Sequence, residues 1–238
     1  MSLTKHIPNA ITSMNLLCGV MGVICTLNGE IGLAFLLMLL AAVFDFCDGL
    51  AARLLHAYSP IGKELDSLAD LVSFGVLPAL MLYKVQPEGA NVILRFLPLF
   101  VAIMSALRLA KFNVDERQTL DFIGLPTPAC AMVCGSLAYF LNVGGGVPEG
   151  AGPWLLAAVA VILGLLLVSE VPMFGMKIKK GHKLLDTKRI AFLILVAACI
   201  LVTVLMHWNW SLAVLAVFSV YIVENLVLAV INSCRRGA

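Results

Sequence analysis

The feature that most constrains this chain is a succession of apolar runs, each near the length of a bilayer crossing. Eight can be marked, at residues 8–27, 32–56, 63–84, 92–112, 123–142, 153–169, 190–206 and 211–232. About 20 residues of helix cross the hydrocarbon core. Inside lipid the backbone must satisfy its own polar groups, which leaves helices or closed barrels. The runs are continuously apolar and do not alternate with period two, so helices are expected. The chain of 238 residues is 61% hydrophobic and only 13% charged, against about 25% charged in soluble domains. The fold class expected is all-α: a polytopic membrane helix bundle of about eight transmembrane helices. They use nearly the whole chain, so residues 1–238 are expected to form one integral membrane catalytic domain, with no separate soluble or nucleic-acid-binding domain.

Lysine and arginine set the expected orientation, because cytoplasmic loops carry the positive charge. With a cytoplasmic N-terminus, only Lys84 and Arg95 of the 16 basic residues fall outside. The basic loop 177–189 is then cytoplasmic, facing anionic headgroups or, alternatively, reaching substrate phosphates. His207, Trp208 and Trp210 fall at the outer interface. The first apolar run carries Asn9, Thr12 and Asn15 with no A-x-A pattern after it, so it reads as a retained helix. The seven cysteines are scattered, form no CxxC, and read as reduced packing residues.

One stretch stands apart. Between residues 44 and 75, "FDFCDGLAARLLHAYSPIGKELDSLADLVSFG" sets four aspartates between apolar segments, where ionisable residues carry a cost that function usually explains. Asp45 and Asp48 are three apart near the end of the second segment. Asp66 and Asp70 are four apart at the start of the third. Each pair therefore shares a helix face. The turn at Ser59-Pro60 folds the third segment back beside the second, so the pairs can face each other across one cleft. Four carboxylates at close range repel, and a divalent cation relieves the conflict. An all-oxygen ligand set suits Mg²⁺ or Mn²⁺, with Ca²⁺ also admitted, rather than zinc. Four carboxylates also suffice for two ions of the kind used in phosphoryl transfer. Gly49, Ala51, Ala52 and Gly62 leave room for a phosphate near the backbone, and Arg53 can clamp one. The alternative is that these aspartates cap helices or pair with Arg53 and Lys63.

Written out, the stretch is D-x2-D-G-x2-A-R-x8-G-x3-D-x3-D. It resembles the signature of the CDP-alcohol phosphotransferase family, with every position of the pattern present. The resemblance implies integral membrane enzymes that move a phosphatidyl or similar group from a CDP-linked donor to an alcohol, releasing CMP. It implies metal binding by Asp45, Asp48, Asp66 and Asp70, with Asp70 also the general base, and a CDP site lined by Gly49, Ala52, Arg53 and Gly62. "IPNAITSMNLLCG", "DSLADLVSFGVLPA", "LRLAKFNV" and "FIGLPTPA" resemble the branch of that family whose acceptor is serine. The expected substrates are then CDP-diacylglycerol and L-serine, the expected place a cytoplasmic membrane with its lipids around the chain, and the expected assembly a homodimer.

Serine is a zwitterion, and its carboxylate needs a cation. Arg108 is the first candidate, with Lys111 and Asn113 close by and Thr127 in "GLPTP" on the same side. Arg108 and Lys111 read equally well as positive-inside anchors. Asn9 and Thr12 either contact the nucleotide or cap the first helix. His56 reads as a loop residue. Glu224 and Asn225 fall deep in the last apolar run; Glu224 reads as structural, a protonated interhelical hydrogen-bond partner or part of a dimer contact, with a functional role as the alternative. Two rival readings are carried: the same chemistry with glycerol 3-phosphate or inositol phosphate as acceptor, and a divalent-cation transporter whose ion path is the four aspartates.

Overall fold

A computed structural model describes residues 6–115, 122–144, 147–148, 150–173 and 209–236. The expected helix at 190–206 and the basic loop at 177–189 lie outside them. The architecture is helical: α1 (Ile7–Leu27), α2 (Ile31–Leu54), α3 (Pro60–Asp70), a π-helical segment (Leu71–Val76), α4 (Leu77–Lys84), α5 (Val92–Phe96), α6 (Phe100–Val114), α7 (Thr127–Val143), α8 (Ala151–Val168) and α9 (Trp210–Arg236). Among the described residues, six spans are long and apolar enough to cross a membrane, and α7 is a shorter apolar helix. The chain is a multi-pass membrane bundle.

α1 and α2 form an antiparallel hairpin. On α2 the buried side chains are Ile31, Ala34, Phe35, Met38, Ala41 and Asp48. Asp48 thus continues the stripe that faces the core, at the three-and-four spacing of a helix face. α1 turns Thr12, Asn15, Gly19 and Gly22 inward. A Cβ at Gly19 would lie 2.3 Å from Ser73 Oγ. The missing side chain is therefore what lets α1 touch the π-helical segment, as small residues do between membrane helices.

α7 is the central helix, buried on nearly every side through Cys130, Ala131, Cys134, Gly135, Ser136 and Ala138. It packs against α2, α4 and α9. Its alanines, glycine, serine and cysteines are small, and small residues let neighbouring membrane helices approach closely. Its entry is pinned by an antiparallel pair of two-residue strands, β1 (Phe122–Ile123) and β2 (Pro172–Met173). Gly124 follows at φ +80°, and a Cβ there would meet the Leu167 carbonyl at 2.6 Å. The amides of Gly124 and Leu125 donate to the carbonyls of Val171 and Leu166, each at 2.9 Å. Residues 123–126, expected as the start of a helix, instead tie the end of α8 to the start of α7.

The span from residue 63 to 84 was expected as one regular helix. It starts earlier, at Pro60, with Ser59 as N-cap accepting from the Gly62 amide at 3.0 Å. The π-helical turn interrupts it directly after Asp70. Such turns are rare and concentrate at functional sites.

Candidate active site

α2 and α3 bring the four aspartates together at one end of the bundle. Oxygen atoms of Asp45, Asp48 and Asp66 lie within 4.8 Å of one another. Asp48 Oδ2 and Asp66 Oδ1 are buried without a hydrogen-bond partner. None of the four carboxylates makes an ion pair with a described lysine or arginine. Carboxylate oxygens buried side by side, with no cation to balance them, are expensive. This is a donor set a hard divalent cation fits.

Asp70 lies against that trio, close enough to Asp45 for their carboxyl groups to hydrogen-bond, and is also held from α1. It is buried, and Asn15 Nδ2 donates to its Oδ1 at 3.3 Å. Asn15 is fixed in turn, because Ser73 Oγ donates to its backbone carbonyl at 3.1 Å. Neither Asn15 nor Ser73 was foreseen as part of the site. The available signal was the inward stripe Thr12–Asn15–Gly19 on α1, where an asparagine stands in an apolar run.

Two clefts flank the carboxylates and share the wall Asp48, Gly49, Lys63 and Asp66. The smaller, of about 210 Å³, lies between α1, α2 and α3 and is lined also by Asn9, Thr12, Ala52, Ser59 and Gly62. All but one of the expected donor-site residues are here. The exception is Arg53, which faces the larger cleft of about 380 Å³, with Asp45, Asp70, Arg108, Asn113, Pro126 and Pro128. The two signature glycines differ. At Gly62 a Cβ would crowd Asn9 Oδ1 at 2.9 Å and Ser59 Oγ at 3.0 Å, so a side chain there would displace Asn9 and the N-cap hydroxyl. At Gly49 it would meet only an Arg53 nitrogen, at 3.9 Å. The fold does not require glycine there.

Of the expected acceptor residues, Arg108 is buried and its Nη1 donates to Thr127 Oγ1 at 3.0 Å. Its guanidinium also lies 5.2 Å from the centre of the Phe112 ring. It is near enough to Asp70 for the charges to attract. Thr127 is fully buried beneath Arg108 and does not line the cleft itself. Asn113 Nδ2 donates to Ser67 Oγ at 2.9 Å, and its carbonyl accepts from Lys63 Nζ at 2.9 Å, which ties α6 to α3. Lys111 is not brought to the site; it faces outward, 4.0 Å from Glu170. His56 lies in the α2–α3 turn at φ 48° and lines neither cleft. Asn225 is buried and donates to the Tyr221 carbonyl at 2.7 Å, while Glu224 Oε2 is buried without a partner.

Residues 5–169 match the sequence model of the CDP-alcohol phosphatidyltransferase family. Taken with the carboxylate cluster between two clefts, the match places the chain in that family of membrane enzymes. Among curated relatives, the chain is 37% identical over 167 residues to the CDP-diacylglycerol–serine O-phosphatidyltransferase of Bacillus subtilis, covering 70% of this chain and 89% of that one. It is 32% identical over 162 residues to the archaetidylserine synthase of Methanothermobacter thermautotrophicus, covering 66% of each. It is 35% identical over 188 residues to the CDP-diacylglycerol–serine O-phosphatidyltransferase of Mycobacterium tuberculosis, covering 74% of this chain and 62% of that one.

Proposed function

We propose that the protein transfers the phosphatidyl group of CDP-diacylglycerol to the hydroxyl of L-serine, giving phosphatidylserine and CMP. The observation that carries this reading is the shared wall. Asp48 and Asp66 stand between a cleft lined by small residues and a cleft holding Asp70 and a buried arginine. The first suits a nucleotide diphosphate and the second a small zwitterion. The chain acts as one catalytic unit over residues 1–238 in a cytoplasmic membrane, as a homodimer, with the site and both termini facing the cytoplasm. The bias of lysine and arginine supports that orientation.

In this mechanism Asp45, Asp48 and Asp66, with Asp70 beside them, would hold two divalent ions, Mg²⁺ or Mn²⁺. When bound, these offset the charge of the donor diphosphate and of the departing CMP. Asn9, Thr12 and the backbone at Gly49, Ala52 and Gly62 receive the nucleotide. Arg108 receives the serine carboxylate. Asp70, restrained through one oxygen by Asn15, takes the proton of the serine hydroxyl. The serine oxygen attacks the phosphorus that bears diacylglycerol, in line with the bond to CMP. The oxygen–phosphorus bond forms as that to CMP breaks, and the proton rests on Asp70.

One feature favours a second reading. Arg53, Lys63 and Arg108 all line the larger cleft, and three cations suit an acceptor that itself carries phosphate. CMP release by purified protein with CDP-diacylglycerol and Mn²⁺ separates the two. Release with L-serine, and not with glycerol 3-phosphate or inositol phosphate, is expected, and EDTA abolishes it. Release only with a phosphorylated alcohol would replace serine as the acceptor.

The open position at Gly49 gives a prediction of its own. Gly49→Ala meets no obstacle in the fold, so thermal stability stays within the usual range of surface changes, about 0.5 kcal/mol. A methyl group in the wall of both clefts obstructs the diphosphate, and KM for CDP-diacylglycerol rises about tenfold or more. An unchanged KM would mean that nothing approaches the Gly49 backbone.

A further inference from the structure

The family match ends at residue 169, yet a residue well beyond it reaches the site. α9 packs along the central helix α7. At one end, Trp210 of α9 lies 5.4 Å from Tyr139 of α7, ring centre to ring centre. The helices run antiparallel from there. Thr127 lies twelve residues back along α7 and Tyr221 eleven residues on along α9. At 1.5 Å per residue both are about 17 Å from the aromatic contact, and so at the same level. Thr127 is the residue that Arg108 donates to. The Tyr221 phenol is accordingly close enough to Arg108 for the two to interact electrostatically. Asn225 and Ile222, on the same part of α9, are buried, so this stretch of the helix is seated against the bundle.

We infer that Tyr221 is a positioning residue for the acceptor: its hydroxyl and that of Thr127 hold the Arg108 guanidinium at the cleft beside Asp70, and this sets the preference for an amino alcohol that bears a carboxylate. The inference rests on the reading above that Arg108 receives the serine carboxylate. An arginine side chain has many rotamers, and fixing its planar fork is what turns a charge into a carboxylate-specific contact. The helix doing this lies outside the matched region, so acceptor preference is set partly by a segment that the shared catalytic core does not contain.

The test uses full-length protein in lipid nanodiscs, with three variants: Tyr221→Phe, Arg108→Lys and Val223→Ala, the last on the exposed side of α9. Each is assayed for CMP release with L-serine and with ethanolamine, which has the same hydroxyl and ammonium but no carboxylate. Tyr221→Phe keeps the ring that packs and removes only the hydroxyl near the charged Arg108. KM for serine should rise about tenfold, with kcat within about threefold and KM for CDP-diacylglycerol unchanged. The serine-to-ethanolamine ratio of kcat/KM should fall by a similar factor. Arg108→Lys should lower that ratio further, and Val223→Ala should leave it unchanged. Serine kinetics of Tyr221→Phe equal to those of the unaltered protein, with Arg108→Lys impaired, would remove Tyr221 and leave Arg108 in place. An unaltered ratio in Arg108→Lys would overturn the carboxylate reading and the Tyr221 inference with it. Equal losses in Tyr221→Phe for both acceptors and for the donor would mark Tyr221 as a packing residue only, which also overturns the inference.

Discussion

Asp70→Asn is expected to lower kcat by about 10³-fold, the middle of the range for losing a general base, while binding of CDP-diacylglycerol persists. The carboxylate is buried and restrained through Oδ1 by the Asn15 amide. Asparagine has the same shape and can still accept that hydrogen bond through its own oxygen, so the local structure is preserved. What it lacks is an oxygen able to take a proton. The three carboxylates whose oxygens cluster within 4.8 Å keep their charge, so most of the set that binds metal and donor is retained. The measurement is single-turnover CMP release alongside donor affinity on the same preparation. Turnover close to that of the unaltered protein would move the base to another group.

Asp48→Asn has the second largest expected effect, and it is of a different kind. Asp48 is in the trio, in the wall common to both clefts, and carries a buried oxygen with no partner. Removing its charge should weaken Mn²⁺ binding by about 100-fold. Even the groups behind metal ligands cost 10- to 100-fold when lost, and Asp48 supplies an oxygen directly. Titration calorimetry or the Mn²⁺ resonance signal, on protein without nucleotide, reads this independently of turnover. Donor binding should fall in step, because the diphosphate then meets uncompensated carboxylates. Undiminished Mn²⁺ affinity in a folded Asp48→Asn protein would show that the cluster is held by other means.

The carboxylate cluster was legible in the sequence because its spacing is local. Three-and-four periodicity on α2 and α3, with one proline turn between them, is enough to bring Asp45, Asp48 and Asp66 together. What could not be read depends on distant segments. Asn15 meets Asp70 across 55 positions of sequence, and nothing near either residue announces the other. The π-helical turn lies in "LVSFGV", which contains no proline and no charge. It is imposed by α1, whose Gly19 admits Ser73 and whose Asn15 carbonyl receives the Ser73 hydroxyl. Arg53 was placed with the nucleotide because it shares the signature with Gly49, whereas its helix position turns it to the other cleft. Lys111 was grouped with Arg108 by proximity along the chain. Three residues along α6 leave the two side chains about 60° apart around the axis, and the arginine is buried while the lysine lies at the exposed edge of that face, beside Glu170.

The π-helical turn after Asp70 also alters how this span should be compared with other chains. A wide turn of this kind holds one more residue than the regular helix would need, and each residue advances a helix by about 100°. Upstream of it, the buried face presents Ala69 and Asp70; downstream, it presents Leu77, Pro78, Ala79, Met81 and Leu82. Across the turn the buried positions recur every four residues, at Ala69/Asp70, Ser73/Phe74, Leu77/Pro78 and Met81/Leu82, a spacing that a regular helix would carry off the face by about 40° at each step. Because the extra residue is absorbed within the turn, a chain one residue shorter between Leu71 and Val76 would close this stretch as regular α-helix and still aim both the carboxylates and the apolar half of the span at the core. Compared with such a chain, this one carries its extra residue as a one-position gap within residues 71–76, and the aspartates and the buried stripe of α4 both stay in register.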